Sequence, residues 1–277
     1  MNRTEQLSIL IVDDQPEVSR FYKKLLTDRG HAVETCYFAG ESLRHVRDRL
    51  FDVVVVDAKI PHHGAGLGGL ILAEEVGAIM GINAVLLMSQ YDIRGEVAHY
   101  NPAFTFLPKP SAVDDLDNLR DWVENDLLAR MRAQVERQYG FVVMPYNDPA
   151  ADAWFKDVLE PAMQTAGYVV RRMDQIPHSR PINTELLARI RQAHFVVVYA
   201  PFQNSNVYFE AGYAVALDKF MLFAAREIEN LPFDVRSHPF FRASAEPTAA
   251  GMAELARFMS GLRGAKGLAG TSGGKFT

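Results

Sequence analysis

The chain has a single cysteine, Cys36, among 277 residues. One thiol excludes internal disulfides and cysteine-rich zinc sites, and points to a reducing cytoplasm. Long apolar runs are missing as well. No stretch approaches the ~18 residues that span a bilayer, and the opening MNRTEQLS has no signal-peptide core. No membrane association is expected. A positive surplus is also lacking. The net charge is −5, with 14 basic and 13 acidic side chains in residues 139–277 and 15 and 21 in residues 1–138. Nucleic-acid binders carry the opposite imbalance, so a DNA-binding output is disfavoured.

What is present is a large apolar fraction, 48% of residues, in a chain long enough for two domains. SILIVD (8–13), VVVVD (53–57) and AVLLM (84–88) are short continuous apolar runs, and FTFLPKP (104–110) adds a last strand ended by proline. Helix-like stretches separate them, which indicates a parallel sheet with helices on both faces. The pattern restarts with GFVVMPY (140–146), HFVVVYA (194–200) and FMLFA (220–224), among amphipathic stretches at 150–166, 181–193 and 207–218. The expected fold class is α/β: two three-layer αβα domains with parallel sheets, the first flavodoxin-like and the second Rossmann-like, joined by a long helix. The expected boundaries are 1–124, a linker helix over 125–138, 139–264, and a flexible Gly/Ser-rich tail over 265–277.

The joining helix reads from 112 to 138, with Ser111 as cap and Asp114 at the capping-box position. Val113, Leu116, Leu119, Val123, Leu127, Met131 and Val135 recur every three or four residues along one face. At 1.5 Å per residue it would extend about 40 Å, more than one small domain needs. Its second half either connects domains or pairs with another chain, or else the helix breaks near Asp126; the pattern leaves these open.

In a doubly wound sheet, ligands sit at the carboxyl ends of the strands. Asp13 and Asp14 follow the first strand, Asp57 ends another, Ser89 follows the fourth apolar run and Lys109 the last. Close carboxylates repel unless a cation joins them, and Mg²⁺ takes carboxylate oxygens, carbonyls and waters. An aspartate beside such an ion can act as a nucleophile towards a phosphoryl donor, with a lysine neutralising the transferred group. The segments ILIVDD, VVVVDAKIP, VLLMS and FLPKP together resemble the receiver domains of two-component response regulators over roughly residues 7–122. The resemblance implies Asp57 as phosphoacceptor, Mg²⁺ held by Asp14, Asp57 and the carbonyl of Lys59 with Asp13 assisting through water, and Lys109 contacting the phosphoryl group. It also implies Ser89 and Phe106 as the switch pair, and a histidine kinase or phosphotransfer protein as partner. Self-association through the receiver face or the 112–138 helix is expected. Gln90 stands where the family has a small residue, and the loop PHHGAGLGGL (61–70) is longer and richer in glycine. Its pair His62–His63 reads as solvated rather than metal-binding.

In the second half, NSNVYFEAGYAVALDK (204–219) sets Glu210 within an apolar, small-residue run. As a helix it places Val207, Glu210, Ala211, Ala214 and Leu217 on one side, with Glu210 in the first turn. Asn204 or Asn206 caps that end, and Gly212 permits a close backbone approach. Local sequence alone favours a helix-stabilising carboxylate. The wider series, FVVMPY, AGYVVRRMD, the run from INTELL to ALDK, and LPFDV, resembles nucleoside deoxyribosyltransferases and Toll/interleukin-receptor-like nucleotide hydrolases over roughly residues 140–242. That resemblance implies Glu210 acting at the anomeric carbon of a ribosyl group, Asp174 binding ribose hydroxyls, and Asn206, Tyr208 and Glu210 lining a site for NAD or another nucleotide. Tyr199 stands where that family has a second acid. Two readings follow: a phosphorylation-controlled enzyme cleaving or transferring N-glycosidic bonds, or a non-enzymatic module whose second domain binds a nucleotide or a protein.

Overall fold

Ile9 and Ile11 of β1 (Ser8–Val12) face one hydrophobic cluster and Leu10 and Val12 another, and all four are fully buried. A strand apolar on both faces needs a covering layer on each. In the computed structural model, which describes residues 6–64, 66–110, 116–176, 181–227, 231–232, 235–243 and 248–262, helices supply those layers.

The chain runs from β1 through α1 (Pro16–Asp28), β2 (Ala32–Cys36), α2 (Ala39–Asp48), β3 (Val53–Asp57), α3 (Gly68–Met80), β4 (Val85–Ser89), α4 (Arg94–Tyr100) and β5 (Thr105–Pro108). The strands pair in the order β2-β1-β3-β4-β5, all parallel. This is the flavodoxin-like order, with its switch point between β1 and β3. Glycine matters at one junction here. A Cβ on Gly69 would stand 2.1 Å from the Asp57 carbonyl, so only glycine lets α3 start against the end of β3.

After β5, α5 (Leu116–Trp122) continues through a wide π turn at Val123–Leu127 into α6 (Leu128–Val135). Of the readings left open, the helix does not break near Asp126: a π segment there inserts a residue without ending it. Val123, Leu127, Leu128, Met131 and Val135 are all buried against the first sheet, in one cluster with Ile9, Val55 and Leu86. Gln134 Nε2 donates to the Val85 carbonyl at 2.6 Å, and Gln138 Nε2 to the Asp52 carbonyl at 2.7 Å. The apolar side of this helix is thus occupied by its own chain. The proposed cap at Ser111 and Asp114, and Val113, lie outside the described residues, as does the tail beyond 262.

The second half comprises β6 (Gly140–Val143), α7 (Pro149–Trp154) running through a π segment (Phe155–Leu159) into α8 (Glu160–Thr165), and β7 (Val170–Arg171). Then come α9 (Ile182–Gln192), β8 (Phe195–Tyr199), α10 (Ser205–Ala216), β9 (Met221–Ala225), β10 (Phe240–Arg242) and α11 (Ala249–Leu262). Its parallel order, β10-β9-β8-β6-β7, places the first strand of this half between the second and third, as in the first sheet. The switch point falls between β6 and β8. Phe195, Val197 and Tyr199 enter the cluster under α7, α8 and α11, while Val196, Val198 and Ala200 enter that under α9 and α10.

Three strands escaped the sequence pattern or were only hinted at. β2 is an edge strand containing Glu34 and Thr35, β7 has two residues, and β10 is a half-buried edge. Edge strands need no apolar run on both faces, so these three gave little signal, although the edge strand β5 did.

The two sheets meet at the amino ends of their strands. His194 Nδ1 donates to the Met80 carbonyl at 3.0 Å, Gly81 (φ 82) packs against the Gln192 and Ala193 carbonyls, and Arg47 pairs with Asp218 at 3.1 Å. Leu50, just before β3, belongs to the core of the second half. Both sets of strand carboxyl ends therefore point away from this junction. No helix among the described residues is long and apolar enough to cross a membrane.

Candidate functional site

At the first switch point Asp13 follows β1, Asp57 ends β3 and Lys109 follows β5. Asp13 is 0% exposed, Asp57 4% and Lys109 7%. The Lys109 Nζ stands 2.8 Å from Asp13 Oδ2 and 2.6 Å from Asp57 Oδ2. The other oxygens accept backbone donors: the Gln15 N–H reaches Asp13 Oδ1 and the Lys59 N–H reaches Asp57 Oδ1, each at 2.9 Å. Burial pushes the Asp13 carboxyl up, and Lys109 partly offsets this. Burial acts to lower the Lys109 ammonium, but the Asp57 and Asp13 charges outweigh it and raise its pKa. Lys109 is held cationic between two acids.

Ser89 is buried at the end of β4, its hydroxyl accepting the Tyr91 N–H at 3.2 Å. Phe106 is half-buried on β5, opposite Leu87 in register, and packs against the cluster beneath α3. Asp14 is exposed. Lys59 is exposed too, its ammonium 3.5 Å from the centre of the Tyr91 ring.

The candidate ligands here, the carboxylates of Asp13, Asp14 and Asp57 and the Lys59 carbonyl, offer oxygen only. That set fits Mg²⁺, which takes one or two carboxylates and keeps several waters. The groups of three potential ligands converging within 4.8 Å among the described residues are Cys36–Glu41–His45 and His62–His63–Glu75. Asp13, Asp14 and Asp57 do not form such a group, because the Lys109 ammonium joins Asp13 to Asp57 while Asp14 faces solvent.

At the second switch point the expected residues are placed unevenly. Asn204, not Asn206, caps α10: its Oδ1 accepts the N–H groups of Asn206 and Val207 at 3.0 and 3.2 Å. Asn206 itself is exposed and spends its N–H on the cap. The helix starts at Ser205, so Glu210 lies in its second turn rather than its first, beyond the reach of the cap. Val207, Glu210, Ala211 and Ala214 share the buried side as expected. Glu210 is 7% exposed, its Oε2 has no hydrogen-bond partner, and burial pushes its carboxyl up to about 7. Gly212 faces open space, so it serves no close approach. Tyr208 is half-buried against the core.

Asp174 is committed elsewhere. Both its oxygens accept from Arg172, Oδ1 from Nε at 2.9 Å and Oδ2 from Nη2 at 2.8 Å, while Arg172 also pairs with Asp152 at 2.5 Å. Tyr199 points to the opposite face of the sheet from α10 and stacks on Trp154, ring centres 4.0 Å apart. Tyr146, beyond the end of β6, escaped the sequence reading. Its hydroxyl pKa is raised, mainly by burial and further by the Glu210 and Asp174 charges. Its place after an apolar strand was the available signal.

Residues 9–120 match the model of the response regulator receiver domain. Among curated proteins, the chain is 29% identical over 146 residues to the transcriptional regulatory protein ZraR of Escherichia coli O157:H7, covering 50% of this chain and 32% of that one. It is 31% identical over 83 residues to the two-component response regulator ARR11 of Arabidopsis thaliana, covering 29% and 15%. The response regulator ArlR of Staphylococcus aureus is 24% identical over 131 residues, covering 47% and 53%. The chain thus spans between 15% and 53% of the length of these relatives. Among solved structures, a CheY-like receiver domain protein from Methanospirillum hungatei aligns at TM-score 0.38 and 24% identity, covering 48% of this chain and 97% of that one.

Proposed function

From the response regulator receiver domain that fills the amino-terminal half, we propose that the chain is a phosphorelay regulator whose phosphoacceptor is Asp57. A histidine kinase or phosphotransfer protein is the donor. The observation that carries this reading is the single buried ammonium within 2.8 Å of Asp13 and 2.6 Å of Asp57, at the carboxyl ends of three strands. An Asp57 oxygen attacks phosphorus, the donor's phosphorus–nitrogen bond breaks, and Lys109 offsets charge on the transferred oxygens. The Ser89 hydroxyl hydrogen-bonds one of those oxygens, and Phe106 repacks with it to report the change. Asp14, Asp57 and the Lys59 carbonyl would hold Mg²⁺, with Asp13 assisting through water; the ion supplies charge neutralisation. Incubation with a small phosphoryl donor and Mg²⁺ labels the wild type and not Asp57→Asn; label retained in the variant places the acceptor elsewhere.

The division we propose is a receiver over 1–124, a connecting helix over 125–138 and an output domain over 139–264, in the cytoplasm and without DNA binding. Self-association through the Ser89–Phe106 face belongs to this reading, since the apolar side of the connecting helix is buried in its own chain.

For the second half we propose a nucleotide-related output, with Glu210 acting on the N-glycosidic bond of NAD or a nucleoside. A buried carboxyl with a free oxygen and a pKa near neutrality supports it. Asp174 favours the alternative, a non-catalytic binding module: each of its oxygens already accepts from Arg172, so a ribose hydroxyl would have to share an acceptor held in an ion pair. Product formed from NAD or nucleosides by the wild type, and lost in Glu210→Gln, selects the enzyme; equal product from both, or none, selects the module.

A further inference from the structure

The loop after Asp57 carries two histidines that phosphoryl transfer does not use. His62 Nε2 lies 2.7 Å from Glu75 Oε2, and His63 Nε2 lies 3.5 Å from Glu75 Oε1. The two imidazoles therefore meet the two oxygens of one carboxylate on α3, with their ring centres 4.0 Å apart. One ligand atom from each of the three residues lies within 4.8 Å of the others. His63 reaches this position from a left-handed backbone, φ 50, which side chains other than glycine seldom adopt. The His62 side chain is only 11% exposed, whereas those of His63 and Glu75 are 62% and 37% exposed. One donor is anchored and two remain open to an arriving ion.

We propose that His62, His63 and Glu75 form a binding site for one divalent transition-metal ion of the zinc, cobalt or nickel class. Imidazole nitrogens with a carboxylate suit these ions, whereas Mg²⁺ prefers oxygen donors alone. Nitrogen and oxygen atoms this close can surround an ion at bond lengths of about 2.0–2.2 Å. Three protein donors leave the remaining positions to water, on the side where His63 is exposed. The site is chemically distinct from the oxygen-only cluster around Asp57, although only a short loop separates them. An ion there would tie that loop to α3, whose start already presses on it: a Cβ at Gly68 would stand 2.4 Å from the His62 backbone nitrogen.

The test is calorimetric titration of the full, tag-free chain with ZnCl₂ in saturating Mg²⁺, repeated with Co²⁺ and visible absorption. The wild type binds one equivalent of zinc, and Co²⁺ develops ligand-field bands. His63→Ala and Glu75→Gln, both at partly exposed positions, each weaken zinc binding by about tenfold or more, since even outer-shell changes at metal sites cost that much. His45→Ala, which disables the separate Cys36–Glu41–His45 group, leaves the titration unchanged. No zinc binding by the wild type, wild-type affinity in both His63→Ala and Glu75→Gln, or loss of binding in His45→Ala overturns the proposal.

Discussion

Lys109 Nζ stands 2.6 Å from Asp57 Oδ2, and the same ammonium holds Asp13 at 2.8 Å. All three groups are buried, so the lysine is the counter-ion that lets two acids share a strand end. Lys109→Ala leaves both carboxylates without their counter-ion, with only the Gln15 and Lys59 N–H groups donating to them. At pH 7 the variant loses about 3–5 kcal/mol of stability in urea denaturation, the usual cost of breaking a buried pair. Excess Mg²⁺ restores part of it. A loss below about 1 kcal/mol would mean that the acids are solvated.

Glu210 gives the second half a pH signature. Its folded pKa of about 7 exceeds the ordinary 4.5, so the unfolded chain releases this proton first. Stability therefore falls as pH rises from about 4.5 to 7, and is level above that. The full difference is roughly 3 kcal/mol. Glu210→Gln removes this slope and is more stable than the wild type at pH 8. Parallel stability–pH curves for the two proteins would show that Glu210 ionises freely.

Gly69→Ala pushes a methyl into the Asp57 carbonyl, 2.1 Å from its ideal position. The expected cost is about 1–3 kcal/mol, with slower phosphorylation because α3 must retreat from the acceptor strand. Gly66, with nothing within 4 Å of a Cβ, is the control, and Gly66→Ala leaves both measurements unchanged. Equal behaviour of the two variants would contradict the close approach.

The junction between the halves has its own test. A Cβ on Gly81 would lie 2.6 Å from the Gln192 carbonyl, and the residue holds φ 82. Gly81→Ala parts the end of α3 from the end of α9 without touching either candidate site. Calorimetry then shows two unfolding transitions where the wild type shows one. A single unshifted transition would mean that the contact is not cooperative.

Much of the first site was legible because its chemistry sits at fixed places. Apolar runs announce central strands, and the residue ending each run is placed by the sheet, which is how Asp13, Asp57, Ser89 and Lys109 could be grouped. Edge strands can do without such a run: β5 has one, whereas β2 carries Glu34 and Thr35 and β10 is half-buried, so those two stayed hidden. The second site was less legible for geometric reasons. Whether Glu210 lies in the first or second helical turn depends on which asparagine caps, and local pattern does not distinguish Asn204 from Asn206. Asp174 looks free in sequence, yet Arg172 doubles back from β7 to close on both its oxygens. Likewise, nothing in a histidine pair reveals that Glu75, on the next helix, faces it. Gly212 was read as a packing contact and is exposed, because glycine serves turns, contacts and bare surface alike.

The position of an acyl phosphate tests the account most directly. After exposure to a small phosphoryl donor with Mg²⁺, borohydride converts an aspartyl phosphate to homoserine, which peptide mass spectrometry locates. The expected result is homoserine at Asp57 alone. Homoserine at Asp13 or Asp14, or none in a chain that has taken up label, would contradict it.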